Sequence, residues 1–325
     1  MADQTLTIGI LSIGDMGVGI ANLLISHGYK VSTFAEDRSE RTKERARSNG
    51  ITLLPSLEDL VTSSTILLSI VPPRGAYTIA QHILAAAPSS STSTRPQPLY
   101  YLDLNATSPS LAIRTHSLLS TNKNITFLDG GIIGGPPTTK NTPDPRDLAR
   151  GSTSWKAPSI PVSGPTPLPQ TYEHFAKILN IEHVSSNIGA ASGVKMSFAS
   201  LTKGIYALAI QSYVTADSLG VFPVLREYME RHNSGTMRIV DGGVVGMPPK
   251  AYRWVNEMQQ IGAMMEEEGG WGRGLFEEIA EVYRVVAEDT KLGLEEIGRR
   301  ERGTTVEDVV KVMREGMEVK KDKLE

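Results

Sequence analysis

The 325-residue chain has no cysteine at all, which excludes disulfides, iron–sulfur clusters and thiolate-bound zinc. Its six histidines form no i, i+4 pair with an acidic partner, so no zinc or other metal site is expected. A G-x-S-x-G nucleophile elbow is also missing. No apolar run approaches the roughly 20 residues that a membrane-spanning helix needs. The formal net charge is only −3 and neither half of the chain is basic, so neither nucleic acid nor an anionic membrane is an expected partner. The N-terminus lacks the cationic, apolar and cleavable layout of a signal peptide. An apolar run, Leu6-Thr7-Ile8-Gly9-Ile10-Leu11, starts after five residues and leaves no room for a presequence, so a cytoplasmic protein is expected.

What remains is an ordinary globular composition, 40% hydrophobic and 21% charged, with length for about two domains of roughly 150 residues. In the first third, β-rich runs at 5–13, 30–34, 65–70, 99–104 and 126–129 alternate with helical patterns near 18–27, 38–48, 57–60, 76–87 and 110–120. Such alternation predicts βαβ units and a parallel sheet covered on both faces. Residues 88–98 are low in complexity and read as an exposed loop. Residues 134–169 hold nine of the nineteen prolines and predict a long loop or edge strands, because proline cannot donate to an interior ladder. From about Gly193, apolar residues recur at spacings of three and four towards Leu219, and further helical runs follow at 223–232, 250–268, 274–293 and 305–322. The expected fold is therefore α/β: a Rossmann-type parallel-sheet domain over 1–188, then an all-α domain over 189–325. The last twenty residues are charge-rich and expected to fray. Asp129-Gly-Gly-Ile-Ile-Gly-Gly-Pro-Pro137 echoes Asp241-Gly-Gly-Val-Val-Gly-Met-Pro-Pro249. The first follows a strand and the second is expected to join helices, so the echo reads as coincidence.

The segment Ser12-Ile13-Gly14-Asp15-Met16-Gly17 ends the first strand and opens a helix. A dinucleotide pyrophosphate needs such a turn, with close backbone approach and free amides at a helix N-terminus. Gly14 and Gly17 suit those roles, while Ser12 replaces the first glycine of G-x-G-x-x-G. After the second strand, Glu36 lies where an acid would accept from a ribose 2′-hydroxyl, as for NAD. Arg38, Ser39, Arg41 and Thr42 offer donors for a 2′-phosphate, as for NADP. NADP is the expected cofactor, with NAD possible.

These motifs together resemble the 6-phosphogluconate/3-hydroxyisobutyrate dehydrogenase superfamily, in the branch with a phosphogluconate-dehydrogenase-like helical C-terminal domain. Gly14-Asp15-Met16-Gly17 matches the family's G-x-M-G turn, and Ile70-Val71-Pro72-Pro73 its proline loop beside the cofactor. Asp103-Leu104-Asn105-Ala106-Thr107-Ser108-Pro109 matches a segment near the nicotinamide. Asp129 to Gly135 matches the substrate loop Asp-x-x-x-Ser-Gly-Gly, with Ile133 in place of the serine and Gly134 and Gly135 following. Gly189 to Lys195 matches the catalytic lysine motif on the long helix, with Ala199 where an asparagine is usual. Lys203, Arg253-Trp254 and Glu257-Met258 look typical of the branch.

The resemblance implies that Ser12, Ile13, Gly14, Asp15, Met16, Gly17, Arg38, Ser39, Val71, Pro72 and Asn105 hold the cofactor. It implies Lys195 as general acid/base, an active site between the two domains, and a homodimer. Substrate residues would be Ile133, Gly134, Gly135, Ala199 and Lys203, Lys203 supplying an anion contact on a helix face shared with Lys195 and Ala199. The implied activity is NADP(H)-dependent hydride transfer to or from a small 3-hydroxyacid or sugar acid. Ile133 and Ala199 keep imine, enamine or ketone reduction open as an alternative, and a non-catalytic NADP-binding protein is a third.

Overall fold

The computed structural model describes residues 6–88, 97–139 and 155–322, with backbone only for 319–322. Most of the low-complexity run 88–98, the middle of the proline-rich stretch 134–169 and the extreme C-terminus lie outside the described residues. The chain divides into two compact units, 1–195 and 196–325, and the division falls inside one long helix.

In the first unit, strands β1 (Thr7–Leu11), β2 (Lys30–Phe34), β3 (Thr52–Leu54), β4 (Ile66–Ser69), β5 (Leu99–Asp103) and β6 (Ile125–Gly130) run parallel. Helices α1 (Asp15–Ser26), α2 (Glu40–Ser48), α3 (Leu57–Ser63), α4 (Ala76–Ala86) and α5 (Pro109–Leu119) connect them. Strands β4 and β5 are buried along their whole length, the mark of a parallel sheet with both faces covered. One apolar cluster contains Ile8, Ile10, Leu24 and Leu102, and the other contains Leu60, Leu67, Ile83 and Tyr101. The expected α/β architecture is present.

Its periphery differs from the sequence reading. Residues 134–169 supply a short antiparallel pair, β7 (Thr138–Thr139) with β8 (Trp155–Lys156), and then β9 (Ile160–Ser163). Helix α6 (Glu173–Ile178) and strand β10 (Ile181–Ser185) follow, and the eight strands lie in the order β10-β9-β6-β5-β4-β1-β2-β3. Thus β9 is an interior strand that contains a proline. The antiparallel pairing with β6 covers only Asp129–Ser163 and Gly130–Val162, so Pro161 sits at the end of that ladder. There it contributes its carbonyl, which accepts from the Gly131 N–H at 3.1 Å, and its missing N–H costs no sheet bond to β6.

The long helix α7 (Ala190–Ser218) has 29 residues and leads into the second unit. That unit contains α8 (Phe222–Gly246), α9 (Ala251–Glu267), α10 (Gly274–Glu288) and α11 (Val306–Asp322). Helix α8 is interrupted at Asn233, whose backbone is non-helical, and then continues through Asp241-Gly242-Gly243. Those glycines made a connection between helices the natural expectation. Gly243 is instead where the Tyr206 ring packs directly on the helix backbone, leaving no room for a Cβ. The echo at 241–249 is thus helical over most of its length, unlike its partner at 129–137.

The helical unit is tied by aromatic and ionic contacts. Trp254 stacks on Tyr206 and meets Tyr283 edge-on, and the Tyr283 hydroxyl donates to the Lys203 carbonyl at 2.5 Å. Arg226 pairs with Asp241 at 2.6 Å, and Arg302 with Asp308 at 2.7 Å. Among the described residues, no helix is long and apolar enough to cross a membrane, and no group of His, Asp and Glu could hold a metal ion.

Candidate coenzyme and active site

In this sheet, strand order reverses between β1 and β4: the chain builds β1, β2 and β3 outward on one side, then returns to place β4, β5 and β6 on the other. A reversal of this kind opens a crevice at the carboxyl ends of the strands, where ligands bind in open α/β sheets. The glycine turn leaves β1 at that point. Ser12 has φ +72°, a left-handed conformation that glycine adopts freely and serine does not. Gly14 precedes α1 with extended backbone, and no side chain caps the helix. The first-turn N–H groups of an uncapped helix have no partner inside it. A Cβ on Gly17 would run into the Ser12 carbonyl, whereas one on Gly14 would meet nothing within 4 Å. Gly17 thus allows the turn to close and Gly14 leaves space above it. Both features fit a dinucleotide diphosphate.

Sequence reasoning missed Arg45, which it would place on the solvated face of α2. Its guanidinium reaches back and donates to the Ile13 carbonyl at 3.3 Å, bringing a fixed positive charge to the turn. At the end of β2, Glu36 is bridged by Lys43 at 3.0 Å, and this bond, with Glu40 on the other side, holds the ammonium above its ordinary pKa. Arg38 is exposed and lies 3.4 Å from Asp37, while Ser39 opens α2 and shares a hydrogen bond with Thr42 at 3.1 Å.

Across the reversal, Asn105 ties β4 to β5. Its Oδ1 accepts from the Val71 N–H at 2.7 Å, and its Nδ2 donates to Ser69 Oγ at 3.0 Å and to Asp103 Oδ1 at 2.5 Å. The side chain is buried, so it shapes the Val71-Pro72 loop, with Val71 half-buried and Pro72 exposed. Burial pushes the Asp103 carboxyl up to about 7, against the opposing effect of bonds from Asn105 and with a further push from Asp129.

Asp129 is the in-register neighbour of Asp103 and is itself buried. Its carboxylate accepts from Gly189 N–H (3.1 Å), Ser192 N–H (3.0 Å), Ser192 Oγ (2.5 Å) and Ser163 Oγ (3.0 Å). Burial raises its pKa while those donors restrain the rise. Two residues on, Gly131 lies under Lys195: a Cβ there would come within 2.6 Å of the lysine Cβ and 2.8 Å of its Cγ. The lysine stem and the substrate-type loop are therefore brought together. In that loop, Ile133 is half-buried and exchanges backbone bonds with Ser159, while Gly134 (φ +126°) and Gly135 are exposed. Pro136 and Pro137 rest on Gly19 of α1, a close approach only a glycine permits.

The two remaining substrate candidates lie in the helical unit. Ala199 is buried. Lys203 is bonded to the buried Glu257 and lies 4.7 Å over the Trp254 ring, so its charge is balanced within that unit.

Sheet order, crevice and glycine turn define a dinucleotide-binding protein. Residues 7–143 match the model of the NAD binding domain of 6-phosphogluconate dehydrogenase, and residues 216–286 match a domain family of unknown function. An uncharacterized 28.5 kDa protein of Methanothermus fervidus is 26% identical over 224 residues, which cover 68% of this chain and 76% of that protein. The solved structure of Mycobacterium tuberculosis 3-hydroxyisobutyrate dehydrogenase with L-serine superposes with a TM-score of 0.60 at 16% identity, covering 95% of this chain and 98% of that one. A reductive aminase from Aspergillus terreus in complex with NADPH and ethyl levulinate superposes with a TM-score of 0.53 at 18% identity, covering 95% and 99%. Residues 7–143 are thus similar to the NAD binding domain of 6-phosphogluconate dehydrogenase, and the chain shares its fold with 3-hydroxyisobutyrate dehydrogenase.

Proposed function

We propose that the protein transfers a hydride between NADP(H) and a small polar substrate of the 3-hydroxyacid or sugar-acid type, with Lys195 as general acid/base. The observation that carries this reading is the seating of the Lys195 stem on Gly131 at the end of β6, on the same sheet edge from which the glycine turn leaves β1. The backbone amides of residues 14–17 and the Arg45 guanidinium suit the diphosphate. The preference for NADP rests on Glu36 being engaged by Lys43 while Arg38, Ser39 and Thr42 stand at the start of α2. The Val71-Pro72 loop, shaped by Asn105, flanks the nicotinamide, which when bound supplies or accepts the hydride. In oxidation the Lys195 amine takes the substrate hydroxyl proton as the carbon-bound hydrogen leaves with its electron pair; in reduction the ammonium returns a proton to the oxygen. Ile133 puts an apolar side chain where the family has a hydroxyl, which supports reduction of a less polar imine or ketone as a second reading.

We further propose a cytoplasmic homodimer. Phe198, Leu201 and Leu208 on α7 are 47%, 78% and 56% exposed, a large apolar face for one helix to leave in water. Leu201→Glu with Leu208→Glu is expected to give a monomer by light scattering, and an unchanged mass would exclude this face.

The central test is coenzyme consumption across hydroxyacids, sugar acids, ketones and cyclic imines, with NADH and NADPH in parallel, for the wild type and Lys195→Met. Faster turnover with NADPH and a loss of at least about 100-fold in Lys195→Met are expected, since acid/base catalysis contributes on the order of 10²–10⁴. Full turnover in Lys195→Met would overturn the assignment of the lysine, and faster turnover with NADH would overturn the preference.

A further inference from the structure

We infer that Asp129 is a positioning residue for Lys195, capping the long helix from the end of β6 while Gly131, two residues further on, receives the lysine stem. The inference rests on the reading of Lys195 as the proton-transfer residue. A helix leaves the N–H groups of its first turn without intrahelical partners, and a carboxylate at that end satisfies them and opposes the helix dipole. Helix α7 meets this need from another element. Asp129 Oδ2 accepts from the N–H of Gly189 and of Ser192, Oδ1 accepts from Ser192 Oγ, and Ser163 Oγ links Asp129 to the Ala191 N–H at 3.0 Å. The amides of residues 189, 191 and 192 are thus all claimed by the carboxyl ends of two strands. Gly193 N–H donates to the Gly189 carbonyl at 2.8 Å and starts the helical ladder.

Lys195 lies three residues beyond Ser192, less than one turn along this anchored start. Side chains on a helix point back towards its N-terminus, and here the lysine stem falls on Gly131. The strand end thereby fixes the lysine at two places, through the helix backbone by Asp129 and through the stem by Gly131. Gly189 adds a third constraint. It has φ +93°, and a Cβ there would lie 3.1 Å from Pro109, so the turn into the helix cannot easily relax. Asp129 itself is 1% exposed and surrounded by four donors, an arrangement that holds a helix and leaves no access for a substrate.

The test compares Asp129→Asn, Lys195→Met and the double variant. Asparagine keeps the shape but turns an NH2 group towards N–H donors, so the helix start shifts. Asp129→Asn is expected to lower kcat by about 10-fold or more, within the roughly 100-fold that about 1 Å of misplacement can cost. KM and the coenzyme Kd should stay within about 3-fold. In the Lys195→Met background, Asp129→Asn should cost no further turnover, because the group it positions is gone. Wild-type kcat in Asp129→Asn, or a full additional loss in the double variant, would overturn the inference while leaving the lysine's role intact. Full activity in Lys195→Met would instead overturn the reading beneath it. Should Asp129→Asn not fold, Ser192→Ala removes one hydroxyl bond and keeps the carboxylate. It should lower kcat with unchanged coenzyme Kd, and an unchanged kcat would overturn the inference.

Discussion

Asp103 and Asp129 lie at the ends of β5 and β6 among neutral donors, amides and hydroxyls, whereas Glu257 and Asp241 of the helical unit face Lys203 and Arg226. Neutral donors favour a buried carboxylate only in part, and both sheet acids are pushed upward in pKa. Ion pairs answer the charge directly, but only while both members are present. The sheet unit accepts the cost of uncompensated acids because each one orders backbone: Asp103 acts through Asn105 on the Val71 loop, and Asp129 on the start of α7. The helical unit uses its charges to join helices, as in the Lys203–Glu257 pair between α7 and α9. The sheet acids hold backbone in place, and the Lys203–Glu257 pair joins two helices.

The largest test of this contrast strikes the backbone. Gly17→Val would force a branched side chain into the Ser12 carbonyl and distort the turn. Coenzyme affinity by fluorescence titration should fall at least about 100-fold, roughly 2.7 kcal/mol. In the helical unit, Lys203→Met strands a buried Glu257 and should cost about 3–5 kcal/mol in chemical unfolding. Lys203→Met with Glu257→Leu should recover much of that. A double variant no more stable than the single one would show that the pair does more than pack.

A smaller effect depends on pH. The Asp103 carboxyl rises from 3.8 to about 7 on folding. The folded state therefore holds this proton between those values and the unfolded state does not, so stability falls as pH rises through that window. Asp103→Asn lacks the effect. Its stability relative to the wild type should grow between pH 5 and pH 8, by up to about 3 kcal/mol at roughly 1.4 kcal/mol per unit over the two units below pH 7. A flat difference would mean that the neutral donors fully compensate the charge. The smallest expected change is Ser12→Gly. Releasing a left-handed serine should add about 1 kcal/mol and raise Tm, with coenzyme affinity within about 2-fold. A loss of affinity would show that the Ser12 side chain touches the ligand.

Much of the fold could be read from local pattern. The five strand runs and five helical runs of the first third match β1, β2, β4, β5, β6 and α1 to α5 to within a few residues, because buried parallel strands are continuous apolar runs. The three-residue strand β3 was too short to signal itself. Strand β9 was hidden by Pro161, whose tolerance depends on where the β6 ladder stops. The second half of α8 was hidden by Gly242 and Gly243, which read as a break until the Tyr206 ring is seen against them. At the site, the glycine turn was legible because the conformational demand is local. Arg45 was not, since its reach to Ile13 crosses 32 residues of sequence and no spacing rule connects them.

Residue order alone determined the alternation of strand and helix, the glycine-rich bend after β1, the helical second half and the absence of thiol chemistry, for each depends on neighbours within a turn or a strand. Only the tertiary structure decided that Lys203 is matched by Glu257, that Asn105 orders the Val71 loop, and that Asp129 holds the beginning of α7 above Gly131. Those outcomes are hydrogen bonds and contacts between groups 34 to 64 residues apart, and the partner a buried polar group finds is set by which strand ends and helix starts the folded sheet brings together.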